Sequence, residues 1–105
     1  MSETKFLVRY SVNEGTQQKY LKLLKEFKSL IRAEGLVDYS VYVDAKNKLS
    51  FTEVYTFKSE EAFDNYEDDS DERTKILMSK MAEFVVNKTT KYSVIKKVEF
   101  ETGDK

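Results

Sequence analysis

Leu36-Val37-Asp38-Tyr39-Ser40-Val41-Tyr42-Val43-Asp44, the turn Ala45-Lys46-Asn47-Lys48, and Leu49-Ser50-Phe51-Thr52-Glu53-Val54-Tyr55-Thr56-Phe57 decide the fold of this chain. Both runs alternate with a period of two, the signature of a strand with one face buried. In the first, Val37, Tyr39, Val41 and Val43 oppose Asp38, Ser40, Tyr42 and Asp44; in the second, Leu49, Phe51, Glu53, Tyr55 and Phe57 share a side. The link between them is short and polar, and Asn47 tolerates a left-handed backbone. Two alternating runs joined so closely form an antiparallel hairpin.

Working outward, Lys5–Val12 alternates too, with Phe6, Val8, Tyr10 and Val12 on one face. Asn13-Glu14-Gly15-Thr16 breaks that period and offers capping side chains. Tyr20, Leu23, Leu24, Phe27, Leu30 and Ile31 then recur at spacings of three and four, an amphipathic helix expected to end at Gly35. Beyond the hairpin, Ser59 reads as the N-cap of a short helix bearing Ala62, Phe63 and Tyr66. The acidic run Glu67–Glu72 separates it from a second helical run, whose expected inner side is Ile76, Leu77, Met81, Phe84 and Val85. Lys91–Phe100 reads as a last strand, and Thr102–Lys105 as a frayed tail. The order strand, helix, strand, strand, helix, strand fits a ferredoxin-like α+β fold, βαββαβ, with helices on one face of a four-stranded antiparallel sheet.

Composition removes whole classes of chemistry. The 105 residues include no histidine, cysteine or tryptophan. Imidazole acid–base catalysis, thiol nucleophiles, zinc sites and haem ligation by imidazole or thiolate all need residues that are missing. The expectation is therefore no metal site and no cofactor. The acidic run lacks the alternation, central glycine and terminal glutamate of an EF-hand loop and reads as a solvated helix junction. A 40% apolar fraction supports a core in a single domain spanning residues 1–105, while a net charge of −1 offers no general attraction to nucleic acid or anionic membranes. No apolar run reaches membrane-spanning length and the N-terminus lacks a signal-peptide core, so a cytoplasmic protein is expected. RNA-recognition domains share this element order. Their third strand needs a glycine and outward-facing aromatics, and Lys48-Leu49-Ser50-Phe51-Thr52 has neither.

Glu53 is the position that invites a function. It shares its face with Phe51, Tyr55 and Phe57, where an unpartnered carboxylate is costly. It reads either as a general base or ligand anchor in a cleft between sheet and helices, or as a structural acid paired with a neighbouring hydroxyl or cation. Tyr10, Tyr39, Tyr55 and Tyr66 are the candidate ligand-binding residues, since tyrosine joins apolar bulk to a polar tip; aromatic stripes at strand spacing are, however, usually core.

The stretch Glu34–Asp44, followed by Phe51-Thr52-Glu53-Val54-Tyr55-Thr56-Phe57-Lys58-Ser59-Glu60-Glu61-Ala62-Phe63, resembles the dimeric α/β-barrel superfamily that includes antibiotic-biosynthesis-type monooxygenases. Members of that group typically place an acid and then an aromatic two residues later on the third strand, before a serine-capped helix. Glu53, Tyr55, Ser59, Glu61, Ala62 and Phe63 stand at those places. The resemblance runs from about Lys5 to Phe100 and implies a homodimer with its sheets face to face. Many members carry tryptophan where Tyr55 stands and histidine near Asn65 or Tyr66; haem-degrading members add an asparagine around Tyr10. None of these is retained, so haem degradation is not expected. Three readings follow: a cofactor-independent monooxygenase-like enzyme acting on an electron-rich aromatic with Glu53 as base; a non-catalytic small-molecule-binding or regulatory module; or a structural dimerisation domain.

Overall fold

Alternation becomes four strands in the computed structural model, which describes residues 3–66 and 72–100. β1 spans Thr4–Ser11, α1 Gln17–Leu30, β2 Leu36–Val43, β3 Ser50–Phe57, α2 Glu60–Asp64, α3 Glu72–Ala82 and β4 Lys91–Lys96. The strands lie in the order β2-β3-β1-β4, every neighbouring pair antiparallel. This is the expected ferredoxin-like arrangement, with β2 and β4 as the edges. Glu67–Asp71 and the expected C-terminal tail fall outside the described residues.

One side of the sheet carries the core. Tyr10 and Val12, Phe51 and Tyr39 of β2 are buried against Tyr20, Leu24 and Phe27 of α1 and Leu77 and Met81 of α3, while Phe57 is buried against Phe63 and Tyr66. Aromatic edges fill much of it: Tyr20 sits edge-on to Phe51 at 5.5 Å and Phe27 edge-on to Tyr39 at 5.2 Å between centroids. Such contacts add to the gain from burying the rings. The opposite face is polar, and its Thr56 is shielded by Lys5, whose Nζ donates to the Thr56 hydroxyl at 2.8 Å.

Several local expectations are corrected. α1 stops at Leu30, because Ile31 turns extended with its N–H on the Phe27 carbonyl. Gly35 instead sits at the turn into β2, at φ +83°. Thr16 occupies the N-cap position of α1, yet its hydroxyl turns back to the Asn13 carbonyl and caps no helical N–H. Val37, whose alternation points it inward, is put out of phase by a register shift between Leu36 and Asp38 and is exposed. Val43 is also exposed, at the end of an edge strand. In α3 the buried row is Thr74, Leu77 and Met81, which turns Ile76 to solvent. Phe84 and Val85 lie beyond the helix end, where Val85 bridges Val12. β4 ends at Lys96, and Lys97 to Phe100 continue without regular structure, all exposed. The Ser59 cap forms as read, its hydroxyl accepting from the Ala62 N–H at 3.0 Å.

Candidate functional site

Pairing across the sheet sets the geometry of the site. Glu53 lies opposite Val8 on β1 and Val41 on β2, and Val8 lies opposite Tyr92 on β4. Because β-carbons alternate, the neighbouring row on the same face is Val94, Phe6, Tyr55 and Tyr39. α1 covers the β2–β3 side of these rows. α3 comes down over β1, and β4 projects past it uncovered, with Tyr92 68% exposed. A cleft of about 250 Å³ opens between α3 and the sheet. Glu53, Tyr10 and Tyr55 form its floor, Met78 and Met81 of α3 line its wall, and Tyr92 marks its outer edge.

Glu53 is 7% exposed and the sole charged side chain among the described residues lining this cleft. Its carboxylate is not bare. The Tyr39 hydroxyl donates to Oε1 at 2.7 Å and the Tyr55 hydroxyl to the same oxygen at 3.2 Å. Two donors leave acceptor capacity on a group with roughly four lone-pair positions. Behind it, the Tyr20 hydroxyl donates to that of Tyr10 at 2.5 Å. Burial first, and then the negative charge of Glu53, push the hydroxyls of Tyr10, Tyr39 and Tyr55 far above the ordinary tyrosine value. Burial raises Tyr20 as well, against the lowering effect of its bond to Tyr10. All four therefore stay neutral donors across the physiological range.

The five residues singled out from the sequence separate here. Glu53, Tyr10 and Tyr55 come together on the cleft floor. Tyr39 stands behind the floor, ring against Phe27 and hydroxyl on Glu53. Tyr66 packs against Phe57 at 5.2 Å and is not among the residues lining the cleft. Sequence reasoning missed Tyr20, Met78 and Tyr92. Tyr20 was hidden in the apolar stripe of a helix, although a buried tyrosine hydroxyl implies a polar partner. Tyr92 carried a signal in its alternation with Val94, but its place beside Val8 is a product of strand pairing. No group of three or more histidine, cysteine, aspartate or glutamate side chains that could hold a metal occurs among the described residues.

The antibiotic biosynthesis monooxygenase family model matches residues 6–73, more than half of the chain. The protein belongs to that family. Solved structures with the same fold include a conserved protein from Methanosarcina mazei Go1, 21% identical, with 90% of this chain and 92% of that one covered and a TM-score of 0.70. Another is SnoaB, a cofactor-independent oxygenase from Streptomyces nogalater, 12% identical over the full length of both chains with a TM-score of 0.68. Among proteins of curated function none matches significantly. At such identities the shared feature is the monooxygenase-like fold.

Proposed function

We propose that this protein is a cofactor-independent, monooxygenase-like enzyme for a small electron-rich aromatic bearing an ionisable hydroxyl. The observation that carries the reading is Glu53, one carboxylate held by two tyrosine hydroxyls on the floor of an otherwise uncharged, aromatic-lined cleft. Aromatic and thioether walls suit a flat apolar ring, and the carboxylate can receive the hydroxyl proton. Loss of that proton makes the ring electron-rich enough to reduce oxygen. One oxygen atom enters the ring as a carbonyl, and the other leaves as water with the two hydrogens that the substrate loses. The substrate itself supplies the four electrons. Membership of the monooxygenase family and the likeness to SnoaB support this reading.

A second reading is favoured by the same hydrogen bonds: a carboxylate already satisfied by Tyr39 and Tyr55 serves as a fixed anchor in a non-catalytic binding or regulatory module. Dissolved-oxygen measurements with a panel of dihydroxyaromatics separate the two. Oxygen uptake in 1:1 proportion to quinone formed, with one oxygen atom incorporated and no hydrogen peroxide released, supports the enzyme; saturable binding without uptake supports the module.

A homodimer belongs to this proposal, with the polar sheet face as its contact. Leu7, Tyr42, Val54 and Ile95 supply apolar points on that face; Tyr42 is 61% and Ile95 50% exposed in the single chain. Light scattering at micromolar protein is expected to return twice the 12.3 kDa chain mass; a monomer mass would refute the dimer. No helix among the described residues is long and apolar enough to cross a membrane, and we place the reaction in the cytoplasm.

A further inference from the structure

α1 has two unlike flanks. Towards α3 it carries Glu26, paired with Arg73 at 3.2 Å. Towards edge strand β2 it carries Leu21, Lys25 and Lys28 at helical spacings of four and three, and Arg32 follows just past the helix end. Among the described residues, none of these three cations is paired with a carboxylate. Lys28 donates to the Tyr39 carbonyl at 2.8 Å and Arg32 to the carbonyl of its neighbour Ile31 at 2.7 Å.

Between this flank and β2 lies a groove of about 360 Å³, at the lower end of the sizes that hold small ligands, roughly 300–1,000 Å³. Its floor is Val41, Val43 and Phe51, with no acidic residue among its lining. Leu21 is 49% and Val43 53% exposed there, so apolar surface stands open to water beside unneutralised charge. Lys28 also lines an adjoining hollow of about 220 Å³ that holds Arg32 and one acid, Asp38. Asp38 is engaged by the Ser40 hydroxyl at 2.6 Å. Apolar space thus continues into a net-positive end through a shared lysine.

We propose that this groove binds a free medium-chain fatty carboxylate. The alkyl chain lies along Leu21, Val41 and Val43, and the carboxylate sits among Lys25, Lys28 and Arg32. Charge complementarity selects an anion over a cation, and the concave apolar floor selects one chain over a planar lipid surface. The groove floor of Val41, Val43 and Phe51 is on the helix-facing side of the sheet, while Tyr42, at the groove's rim, belongs to the opposite face. The groove shares neither Glu53 nor Tyr92 with the cleft and does not depend on oxygen chemistry.

The test is a titration of the isotopically labelled protein with decanoate below its micelle concentration, followed by amide chemical shifts. Decyltrimethylammonium and anionic phosphatidylglycerol vesicles serve as comparators. Decanoate is expected to saturate, to shift Leu21, Lys25, Val41 and Val43, and to bind at least tenfold more tightly than the cationic amphiphile. The K25E/R32E variant is expected to lose at least tenfold in decanoate affinity, and L21Q to weaken both amphiphiles. If a variant does not fold, raising the salt concentration on the unchanged protein makes the same discrimination, because the head-group contact weakens with ionic strength. Equal affinity for both amphiphiles, salt-independent binding, shifts confined to Val8, Tyr55 and Tyr92, or binding to vesicles alone would each overturn the proposal.

Discussion

A carboxylate 7% exposed needs donors, and Tyr39 and Tyr55 provide them to Glu53. That makes two substitutions at one position informative. Glu53→Gln keeps the shape and an acceptor oxygen but removes the charge. If Glu53 acts on a ligand, this change is expected to leave the melting temperature within a few degrees, under about 1 kcal/mol, while ligand affinity or oxygen uptake falls at least about tenfold. Glu53→Ala leaves two hydroxyls without their acceptor and is expected to cost about 1–3 kcal/mol. Thermal melts of both variants beside ligand titrations decide; Gln as destabilising as Ala, with affinity unchanged, would make Glu53 a structural acid. Tyr39→Phe removes only the 2.7 Å bond and leaves the ring against Phe27 and Tyr55. Its expected loss is about 1–2 kcal/mol by denaturant unfolding. A neutral result would mean that solvent or another donor replaces the hydroxyl.

At the scale of elements, the approach of α2 to the loop before β2 turns on one atom. Gly35 and Gly15 share φ +83°, yet their surroundings differ. A Cβ on Gly15 would meet nothing within 4 Å, whereas on Gly35 it would stand 2.6 Å from the Ala62 Cβ. Gly15→Ala is therefore expected to cost about 1–2 kcal/mol, the backbone strain alone. Gly35→Ala adds overpacking of about 1–3 kcal/mol to that strain. The double substitution Gly35→Ala with Ala62→Gly should recover the contact share and not the strain, which a double-mutant cycle of urea midpoints reads directly. Equal losses at the two glycines would show that the loop moves away from α2 at little cost. The helical periodicity running to Ile31 hid the end of α1 at Leu30, because the apolar Ile31 packs partly against the core in an extended backbone.

Across the whole molecule, the buried Tyr10, Tyr20 and Tyr39 and the half-buried Tyr55 hinge stability on their protons. Tyr10, Tyr20, Tyr39 and Tyr55 all have folded values raised above the unfolded value near 10. Their contribution is fully present below about pH 10 and is lost as pH rises, by about 1.4 kcal/mol per pH unit for each tyrosine. Against a typical domain stability of about 5–15 kcal/mol, cooperative unfolding is expected within about one to three pH units above pH 10. Phenolate absorbance from these four should appear together with the loss of circular dichroism. Their ionisation in a protein that keeps its dichroism would contradict the burial. The alternating runs Lys5–Val12 and Leu49–Phe57, the capped α2 and the stripe Tyr20–Phe27 were legible in the chain itself, because each is a local pattern of burial and hydrogen bonding. So was Glu53 as a carboxylate on an apolar face, and so was the family likeness in residues 34–63. Pairing register and helix rotation were not legible. They place Tyr39 and Tyr55 on one oxygen of Glu53, bring Tyr92 beside Val8, send Tyr66 to Phe57 and turn Ile76 outward. Local sequence determines which face of an element is apolar; only the competition of distant elements for the same core decides which side chains on that face meet.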